Sequence, residues 1–330
     1  MIKISTVTPI YNSAEYISQL VIELDKYKTR CINLDTPFQL IESIFVLDEP
    51  IDNSAQLLHK LQLEYSFLRV IELSKNSGQH PATVAGMLYS VGDWIVTLDE
   101  DLQHKPMEIS KLMQNVTLNS NDICYGINLH DTHSSWVRDK LSKIYKRIIG
   151  ILSGNNHIKN FSSFRIIRGD IGRAAASVFT FDSYLDICLL WFTDRITTLE
   201  LDMKDERNLV HSGEKSGYSI FSLVKHAKRL LMTTKVRILR IVFLVSLLSF
   251  ATSFFLIIYY VIDIFQYGIE VPGWASIIIS ILFFGGLSTL LQGILSEGVT
   301  DILLKSKGKP SFFVIDRTQD QEIRNYFNNS

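Results

Sequence analysis

The chain has few cysteines, almost no net charge and no leader-like beginning, and each feature excludes a class of protein. Cys31, Cys124 and Cys188 are far apart, which excludes a disulfide framework or a zinc-binding spacing and fits a reducing compartment. The 33 basic and 34 acidic residues give a formal net charge of −1, whereas a general nucleic-acid binder is usually strongly basic. Residues 2–7 predict a β-strand rather than a signal peptide.

Apolar runs of membrane-spanning length are missing from most of the chain, but two occur near its C-terminus. Residues 238–262 and 274–295 are each long enough for a transmembrane helix, and the connection 263–273 contains no Lys or Arg. Basic residues lie at the outer ends of the pair, in 225–240 and in 305–309. The positive-inside rule therefore predicts a two-helix transmembrane hairpin with both termini in the cytoplasm. A buried helical hairpin of a soluble protein is the alternative.

These runs divide the chain into a large N-terminal domain and a membrane region. We expect a cytoplasmic catalytic domain at 1–222, a basic amphipathic segment at 223–237 and a cytoplasmic juxtamembrane tail at 296–330. The basic segment either attracts anionic lipid headgroups or only marks the cytoplasmic side of the first span. Gly285 and Gly286 predict close packing of helices, within the hairpin or between subunits of a homo-oligomer.

The N-terminal domain alternates strand-like and helix-like patterns. The predicted strands are 2–8, 38–47, 68–73, 93–98 and 122–125, and the predicted helices are 13–28, 53–65 and 82–90, the first capped by Ser13. This order predicts an α/β fold with a mostly parallel sheet and helices on both faces.

Polar residues follow the predicted strands at the points where these end. They are Thr8 and Asn12, then Asp48, then Lys75, Asn76 and Gly78, and finally Asp99 and Asp101. Because parallel strands place their carboxyl ends at one edge of a sheet, we expect these side chains to converge on a ligand site. Taken singly, Asn12 or Asp48 is as typical of a turn or loop as of a binding site.

Three consecutive carboxylates, Asp99, Glu100 and Asp101, stand at the end of the fourth predicted strand. Like charges repel there, so folding alone does not favour them. A divalent cation reverses this balance, since carboxylate oxygens suit Mg²⁺ or Mn²⁺, and such a metal can hold a pyrophosphate. The alternative is an exposed acidic turn before the helix that follows Pro106.

Several segments of the chain together resemble one enzyme family. The segments Thr8–Asn12, Val46–Ser54, Leu73–Gly78, Asp99–His104 and Ser162–Arg165 resemble family 2 glycosyltransferases of the GT-A (Rossmann-like) fold, and Lys215–Ser219 resembles a further stretch of that family. The residues after the second span, 293–314, resemble the tail of the polyprenyl-phosphate branch, which includes dolichol-phosphate-mannose-synthase-like enzymes. The chain departs from the family where Glu49 and Pro50 replace a more flexible turn and where Ser163 replaces a glycine.

The resemblance implies an inverting, metal-dependent glycosyltransferase at the cytoplasmic face of the inner (plasma) membrane. Its donor would be a UDP-, GDP- or dTDP-linked sugar, and its acceptor an undecaprenyl-type polyprenyl phosphate used for cell-surface glycans. The resemblance assigns Asp101 and Asp99 to Mg²⁺ or Mn²⁺ and places Gln103 beside the metal. It assigns Arg165, Lys215 and Ser216 to the acceptor or to phosphate. The residues that it assigns to the nucleotide are Thr8, Pro9, Tyr11, Asn12, Asp48, Lys75, Asn76, Gly78 and Asp99.

Other readings remain open from the sequence. Arg165 could form only a surface salt bridge, and Lys215 could be a solvated lysine. A hydroxyl acceptor on a lipid-linked saccharide would require a general base, for which Asp182 and Asp186 are the candidates. A non-catalytic scaffold that keeps the fold is the third reading.

Overall fold

The computed structural model describes residues 1–128, 161–180, 184–203, 235–267, 273–306 and 320–329. It forms two compact units, Met1–Arg229 with Pro310–Ser330 and Leu230–Lys309. The elements are β1 (Ile2–Ile10), α1 (Ala14–Asn33), β2 (Phe38–Leu47), α2 (Ser54–Glu64), β3 (Leu68–Glu72), α3 (Gln79–Tyr89), β4 (Trp94–Thr97), a 3₁₀ turn (Pro106–Glu108), α4 (Ile109–Leu118), β5 (Ile123–Asn128), β6 (Arg165–Arg168), α5 (Gly169–Ser177), α6 (Leu185–Leu189), β7 (Ile196–Leu201), α7 (Lys235–Tyr267), α8 (Trp274–Ser306) and α9 (Asp320–Asn329).

The first unit is built on a seven-stranded sheet in the order β3-β2-β1-β4-β6-β5-β7. Strands β3, β2, β1 and β4 are parallel, and β6 runs antiparallel to both of its neighbours. The predicted mostly parallel α/β sheet is therefore confirmed. In the register, Ile10 pairs with Leu47 and Val7 with Thr97, so β1, β2 and β4 end together at one edge.

Both faces of the sheet are covered by helices, because alternate strand residues are apolar on each side. Phe45 belongs to the core on the face of α1, α2 and α4, whereas its neighbours Ile44 and Val46 belong to the core on the face of α3 and α5. Helix α3 lies very close to the sheet at Gly86, where an added Cβ would stand 2.4 Å from a methyl of Val7. Glycine at this position lets α3 pack closely against the sheet.

The C-terminal helix α9 belongs to the first unit. Ile323 is fully buried in the core on the α1 face, and the ring of Phe327 stacks on Phe38 at 5.9 Å. Arg324 is hydrogen-bonded to the hydroxyl of Ser120. These residues belong to the predicted juxtamembrane tail, 296–330. Their packing into the core of the N-terminal domain was not predicted from the sequence.

Helix α1 is capped differently from the prediction. Ser13 occupies the N-cap position, as predicted, but its side chain makes no capping hydrogen bond. Instead, the backbone N–H of Ala14 donates to Asp52 Oδ2 at 2.9 Å, and the N–H of Ser54 donates to Oδ1 at 3.0 Å. A single carboxylate thus satisfies the first amides of both α1 and α2, where helix dipoles favour negative charge.

Replacing Asp52 with alanine is expected to lower the free energy of unfolding by about 1 kcal/mol at neutral pH. Burial alone would raise the pKa of Asp52, but hydrogen bonds from the Ser54 hydroxyl and from the amides of Ala14 and Ser54 lower it. A depressed pKa in the folded state means that the stabilisation is present above the unfolded pKa of about 3.9 and is lost as the pH falls through the folded value.

Thermal unfolding of the full chain in detergent, followed by circular dichroism, checks this expectation. The melting temperatures of the wild type and Asp52→Ala should differ at pH 7 and converge in acid. Asp52→Asn, which keeps an acceptor oxygen without the charge, should fall between them. A difference that does not depend on pH would contradict the electrostatic part of the explanation.

The second unit is a pair of long helices, and the predicted two-helix hairpin is confirmed. Helices α7 and α8 extend beyond the predicted spans 238–262 and 274–295. Their segments Val242–Gln266 and Ser276–Thr300 are long and apolar enough to cross a membrane, and most of their side chains are exposed. Such an apolar surface is suited to lipid.

Small residues hold the two helices of the hairpin together. A Cβ added at Gly286 would lie 3.0 Å from Ser253 Cβ, and one added at Gly293 would lie 2.8 Å from Ser246 Cβ. Gly285, the other half of the predicted pair, faces open space. Gly286 and Gly293 thus allow the close helix approach that is common in membranes.

Candidate active site

A cleft of about 700 Å³ opens where β1, β2 and β4 end. It is lined by Pro9, Ile10, Tyr11, Asn12, Tyr16, Asp48, Asn76, Gly78, Gln79, Asp99, Glu100 and Asp101. Most of the residues that the sequence assigned to nucleotide or metal are therefore brought together. This is the edge at which open parallel sheets usually bind ligands.

The remaining predicted site residues lie elsewhere. Thr8 is buried inside the sheet opposite Phe45, and Lys75 is exposed but does not line the cleft. Gln103 lies beside the cleft, and its backbone N–H donates to Asp101 Oδ1 at 3.3 Å. Lys215 and Ser216 fall outside the described residues, as does Asp182.

The three carboxylates after β4 point to different partners, which reduces their mutual repulsion. Asp99 accepts hydrogen bonds from Gln79 Nε2 at 2.7 Å and from the Ser163 hydroxyl at 2.6 Å. Glu100 accepts one from the backbone N–H of Tyr11 at 2.9 Å and so ties the turn to the end of β1. Burial raises the pKa of Glu100. Nothing in the sequence indicated this structural role for the middle carboxylate.

His104 fixes the backbone of the acidic turn. Its Nδ1 accepts a hydrogen bond from the N–H of Asp99 at 2.9 Å, and its ring stacks on Phe164 at 4.8 Å. Burial lowers the pKa of His104, which favours the neutral ring that this bond requires. Leu102, between Asp101 and Gln103, has a left-handed backbone with φ of 61°, which is a strained conformation for a residue with a side chain.

Asp48 is almost fully buried and is engaged with the loop before α3. Its Oδ1 accepts the N–H of Ser77 and its Oδ2 that of Gly78, both at 2.7 Å. The neighbouring Glu49 accepts the N–H of Asn76 at 2.9 Å. Asp48 therefore holds a loop of the cleft through both of its carboxylate oxygens. The family resemblance had assigned this residue only to base or ribose.

A smaller cavity of about 160 Å³ adjoins the cleft and shares Pro9, Gln79 and Asp99 with it. Its other lining residues are His80, Thr83, Thr97, Leu98, Phe161, Ser162, Ser163, Arg165, Tyr184 and Asp186. Hydroxyls, amides and aromatic rings together suit a polyhydroxylated ligand. The volume corresponds to about five water molecules, which suits a small group rather than an extended one.

Arg165 lines the smaller cavity and forms a buried ion pair. The side chains of Arg165 and Asp186 are 4% and 3% exposed, and they are hydrogen-bonded to each other. The Tyr125 hydroxyl also donates to Asp186, at 2.8 Å. Burial alone would lower the pKa of Arg165, but the Asp186 carboxylate raises it, so the guanidinium stays charged. The surface salt bridge that the sequence left open is excluded.

Asp99 and Asp101 present carboxylate oxygens at the cleft, the kind of ligand that a divalent cation takes in proteins. Within the described part of the chain, no group of three or more His, Cys, Asp or Glu side chains could hold a metal ion. Mg²⁺ usually takes one or two carboxylates from the protein and further oxygens from substrate phosphates and water. Two carboxylates of the cleft, with Gln103 beside them, supply hard oxygen ligands of this kind.

Comparison with known families and proteins places the chain among glycosyltransferases. The model of "Glycosyl transferase family 2" matches residues 5–181. The undecaprenyl-phosphate 4-deoxy-4-formamido-L-arabinose transferase of Proteus mirabilis is 26% identical over 314 residues, 94% of this chain and 93% of that protein. An uncharacterised glycosyltransferase of Synechocystis sp. is 24% identical over 320 residues, 96% of this chain and 95% of that protein.

The solved structures that resemble the chain are more distant in sequence. TarS 1–349 of S. aureus in complex with UDP is 15% identical, with a TM-score of 0.45 over 95% of this chain and 94% of that one. Glucosyl-3-phosphoglycerate synthase of Mycobacterium tuberculosis, in complex with Mn²⁺, UDP and phosphoglyceric acid, is 13% identical, with a TM-score of 0.45 over 71% of this chain and 78% of that one.

Proposed function

The chain belongs to glycosyl transferase family 2, and we propose that it moves a sugar from a nucleotide-sugar donor to a polyprenyl phosphate at the membrane surface. The observation that carries this proposal is the similarity to an undecaprenyl-phosphate transferase over 94% of the chain. That extent includes the N-terminal domain and both apolar helices, so it supports the lipid-phosphate acceptor as well as the family.

The cleft would hold the donor nucleotide. Tyr11 and Tyr16 offer aromatic rings for a nucleobase, and Asn12 and Asn76 offer amide groups for base or ribose. The smaller cavity, joined to the cleft at Asp99, would take the transferred sugar. We assign a UDP-, GDP- or dTDP-linked donor, because these residues suit any of the three nucleotides.

A divalent metal completes this proposal. Asp101, with Asp99 and Gln103 beside it, would hold Mg²⁺ or Mn²⁺, which when bound neutralises charge on the diphosphate. Gln79 and Ser163 keep the Asp99 carboxylate oriented towards the cleft through their hydrogen bonds.

The chemistry is a displacement at the anomeric carbon with inversion. An oxygen of the lipid phosphate forms the new bond to this carbon, and the bond to the diphosphate oxygen breaks, with its electron pair leaving on the diphosphate. Because the attacking oxygen is already anionic at neutral pH, no side chain has to remove a proton. Arg165 contributes a fixed positive charge near the reacting phosphates.

A hydroxyl acceptor is less well supported by this site. It would require a free general base, and Asp186 is instead paired with Arg165 and hydrogen-bonded to Tyr125. Both partners donate to the same oxygen, Oδ1, so this oxygen is already engaged and is not placed to take a proton from an acceptor hydroxyl.

The membrane arrangement is part of the same proposal. We place α7 and α8 across the inner membrane as a two-span hairpin with residues 1–222, the basic segment 223–237 and the tail 296–330 on the cytoplasmic side. Basic residues on both flanks and none in 263–273 support this orientation. The hairpin would keep the site at the surface where a polyprenyl phosphate presents its head group to cytoplasmic nucleotide sugars.

The decisive experiment uses the full chain in nanodiscs with Mn²⁺ or Mg²⁺, a panel of nucleotide sugars and undecaprenyl phosphate. Mass spectrometry of the lipid fraction is expected to find a new lipid-phosphate-sugar species with one of the donors. The same incubation with a sugar-bearing lipid diphosphate in place of the lipid phosphate is expected to give no product.

The other outcomes separate the alternatives. Product formed only on the saccharide acceptor would replace the proposal by transfer to a hydroxyl. Donor left intact with every acceptor, by a protein that also fails to bind the nucleotides, would support a non-catalytic scaffold.

A further inference from the structure

Three consecutive backbone amides in the loop before α3 are all bound by carboxylates of the turn after β2. The amides of Asn76, Ser77 and Gly78 donate to Glu49 and to the two oxygens of Asp48 at distances of 2.7 to 2.9 Å. Successive amides that point to one side form a concavity that binds anions. Here the protein fills that concavity itself, so these amides are not available to the diphosphate of a nucleotide.

The same loop leads directly to a residue that touches the acidic turn. Gln79, the first residue of α3, follows Gly78, and its side-chain amide donates to Asp99 Oδ1 at 2.7 Å. Gly78 itself has φ of 92°, a conformation that side chains rarely adopt. The position of Gln79 is therefore fixed by the backbone immediately before it, which the two carboxylates hold.

Glu49 is not part of the cleft surface. Its side chain is exposed, it does not line the cleft, and its backbone has a left-handed φ of 53°. A non-glycine residue in this conformation is strained and persists where surrounding contacts hold it. Its hydrogen bond to Asn76 is such a contact, and it joins β2 to the loop from outside the ligand site.

We propose that Glu49 is a positioning residue, which orients the Asp99 carboxylate through the loop 76–78 and Gln79. The inference rests on the proposed function in so far as Asp99 serves the donor or its metal. Partners that orient a carboxylate beside a metal commonly change metal affinity or activity by about 10- to 100-fold when they are removed. Gln79 makes this direct contact, and Glu49 acts one step further away.

The first test measures coupling without any substrate. Hydrogen exchange of the full chain in nanodiscs is compared for the wild type, Glu49→Ala and Glu49→Gln. Glu49→Ala should accelerate amide exchange strongly in 76–79 and to a smaller extent in 99–104, since Gln79 holds the Asp99 side chain while His104 and Glu100 hold the rest of that turn. Glu49→Gln keeps an acceptor oxygen for Asn76 and should restore most of the protection. Glu64→Ala removes an equally exposed glutamate from α2 and should change neither segment.

The second test measures Mn²⁺ affinity in the presence of UDP by the electron paramagnetic resonance signal of free Mn²⁺. Gln79→Met, which keeps the length of the side chain but removes the donor, should weaken Mn²⁺ binding at least tenfold, and Glu49→Ala about fivefold. If Glu49 acts through Gln79, the double variant should bind no more weakly than Gln79→Met alone.

Each outcome decides one question. Faster exchange confined to 76–79, or additive losses of affinity in the double variant, would overturn the proposed coupling. A wild-type protein that binds no Mn²⁺ with any of UDP, GDP or dTDP would argue against the metal and donor of the proposed function. The exchange experiment would still decide whether the turn positions Asp99.

Discussion

Replacing Asp101 with asparagine is expected to reduce sugar transfer at least a thousandfold while leaving the fold intact. Asp101 lines the cleft at the end of β4 and is the proposed metal ligand. Asparagine has nearly the same shape but lacks the charge that holds a divalent cation next to the diphosphate. Losing stabilisation of the developing charge on the leaving group costs several kcal/mol, and about 4 kcal/mol corresponds to a thousandfold in rate.

The measurement is initial turnover of the donor at increasing concentrations of Mn²⁺, together with the melting temperature of each variant. Asp194→Asn, which removes one carboxylate from an exposed position before β7, is the matched control and should behave as the wild type. Unchanged turnover of Asp101→Asn at limiting Mn²⁺ would remove the metal assignment from Asp101. A shift of the melting temperature without loss of turnover would give the residue a structural role only.

The sequence predicted the parallel part of the sheet and the convergence of the candidate site residues at one edge, because both depend on local patterns. A run rich in apolar residues predicted β2 with its observed limits. The polar residues at the ends of β1, β2 and β4 follow from their positions after the strands. In a parallel sheet these ends must meet, so Asp48, Asp99 and Asp101 could be placed together without a structure.

Partners distant in the chain could not be predicted in this way. The amide of Ala14 is bound by Asp52 rather than by the adjacent Ser13, since the turn after β2 passes the start of α1. Likewise, Ile323 fills the core of the N-terminal domain although the two apolar helices separate it from that domain in sequence. Local propensity carries no information about such contacts, because they depend on how the elements pack.

Gln79 and Ser163 show the same limit within the site. Both bind the Asp99 carboxylate, one from the start of α3 and the other from the segment before β6. Gln79 directly follows the segment Leu73–Gly78, and Ser163 belongs to the segment Ser162–Arg165, both of which the family resemblance had singled out. Neither residue type identifies a site by itself. Their roles become visible only once three separate loops lie at the same edge of the sheet.

Replacing Arg165 with methionine is expected to destabilise the protein by about 3–5 kcal/mol, the cost of leaving a buried carboxylate without its counter-ion. Asp186 would then keep the Tyr125 hydroxyl as its hydrogen-bond donor, which does not balance a full negative charge. Such a loss lowers the melting temperature by several degrees or more and obscures any role of Arg165 in transfer.

The double variant Arg165→Met, Asp186→Asn separates the two roles. Asparagine at position 186 is neutral and still accepts the hydrogen bond of Tyr125, so the melting temperature should recover towards that of the wild type. Sugar transfer should not recover, because the positive charge at the smaller cavity is missing and the phosphates lose their guanidinium partner. We therefore expect a stable protein with turnover at least a hundredfold below the wild type. A double variant with wild-type turnover would show that Arg165 only balances Asp186 and takes no part in the reaction.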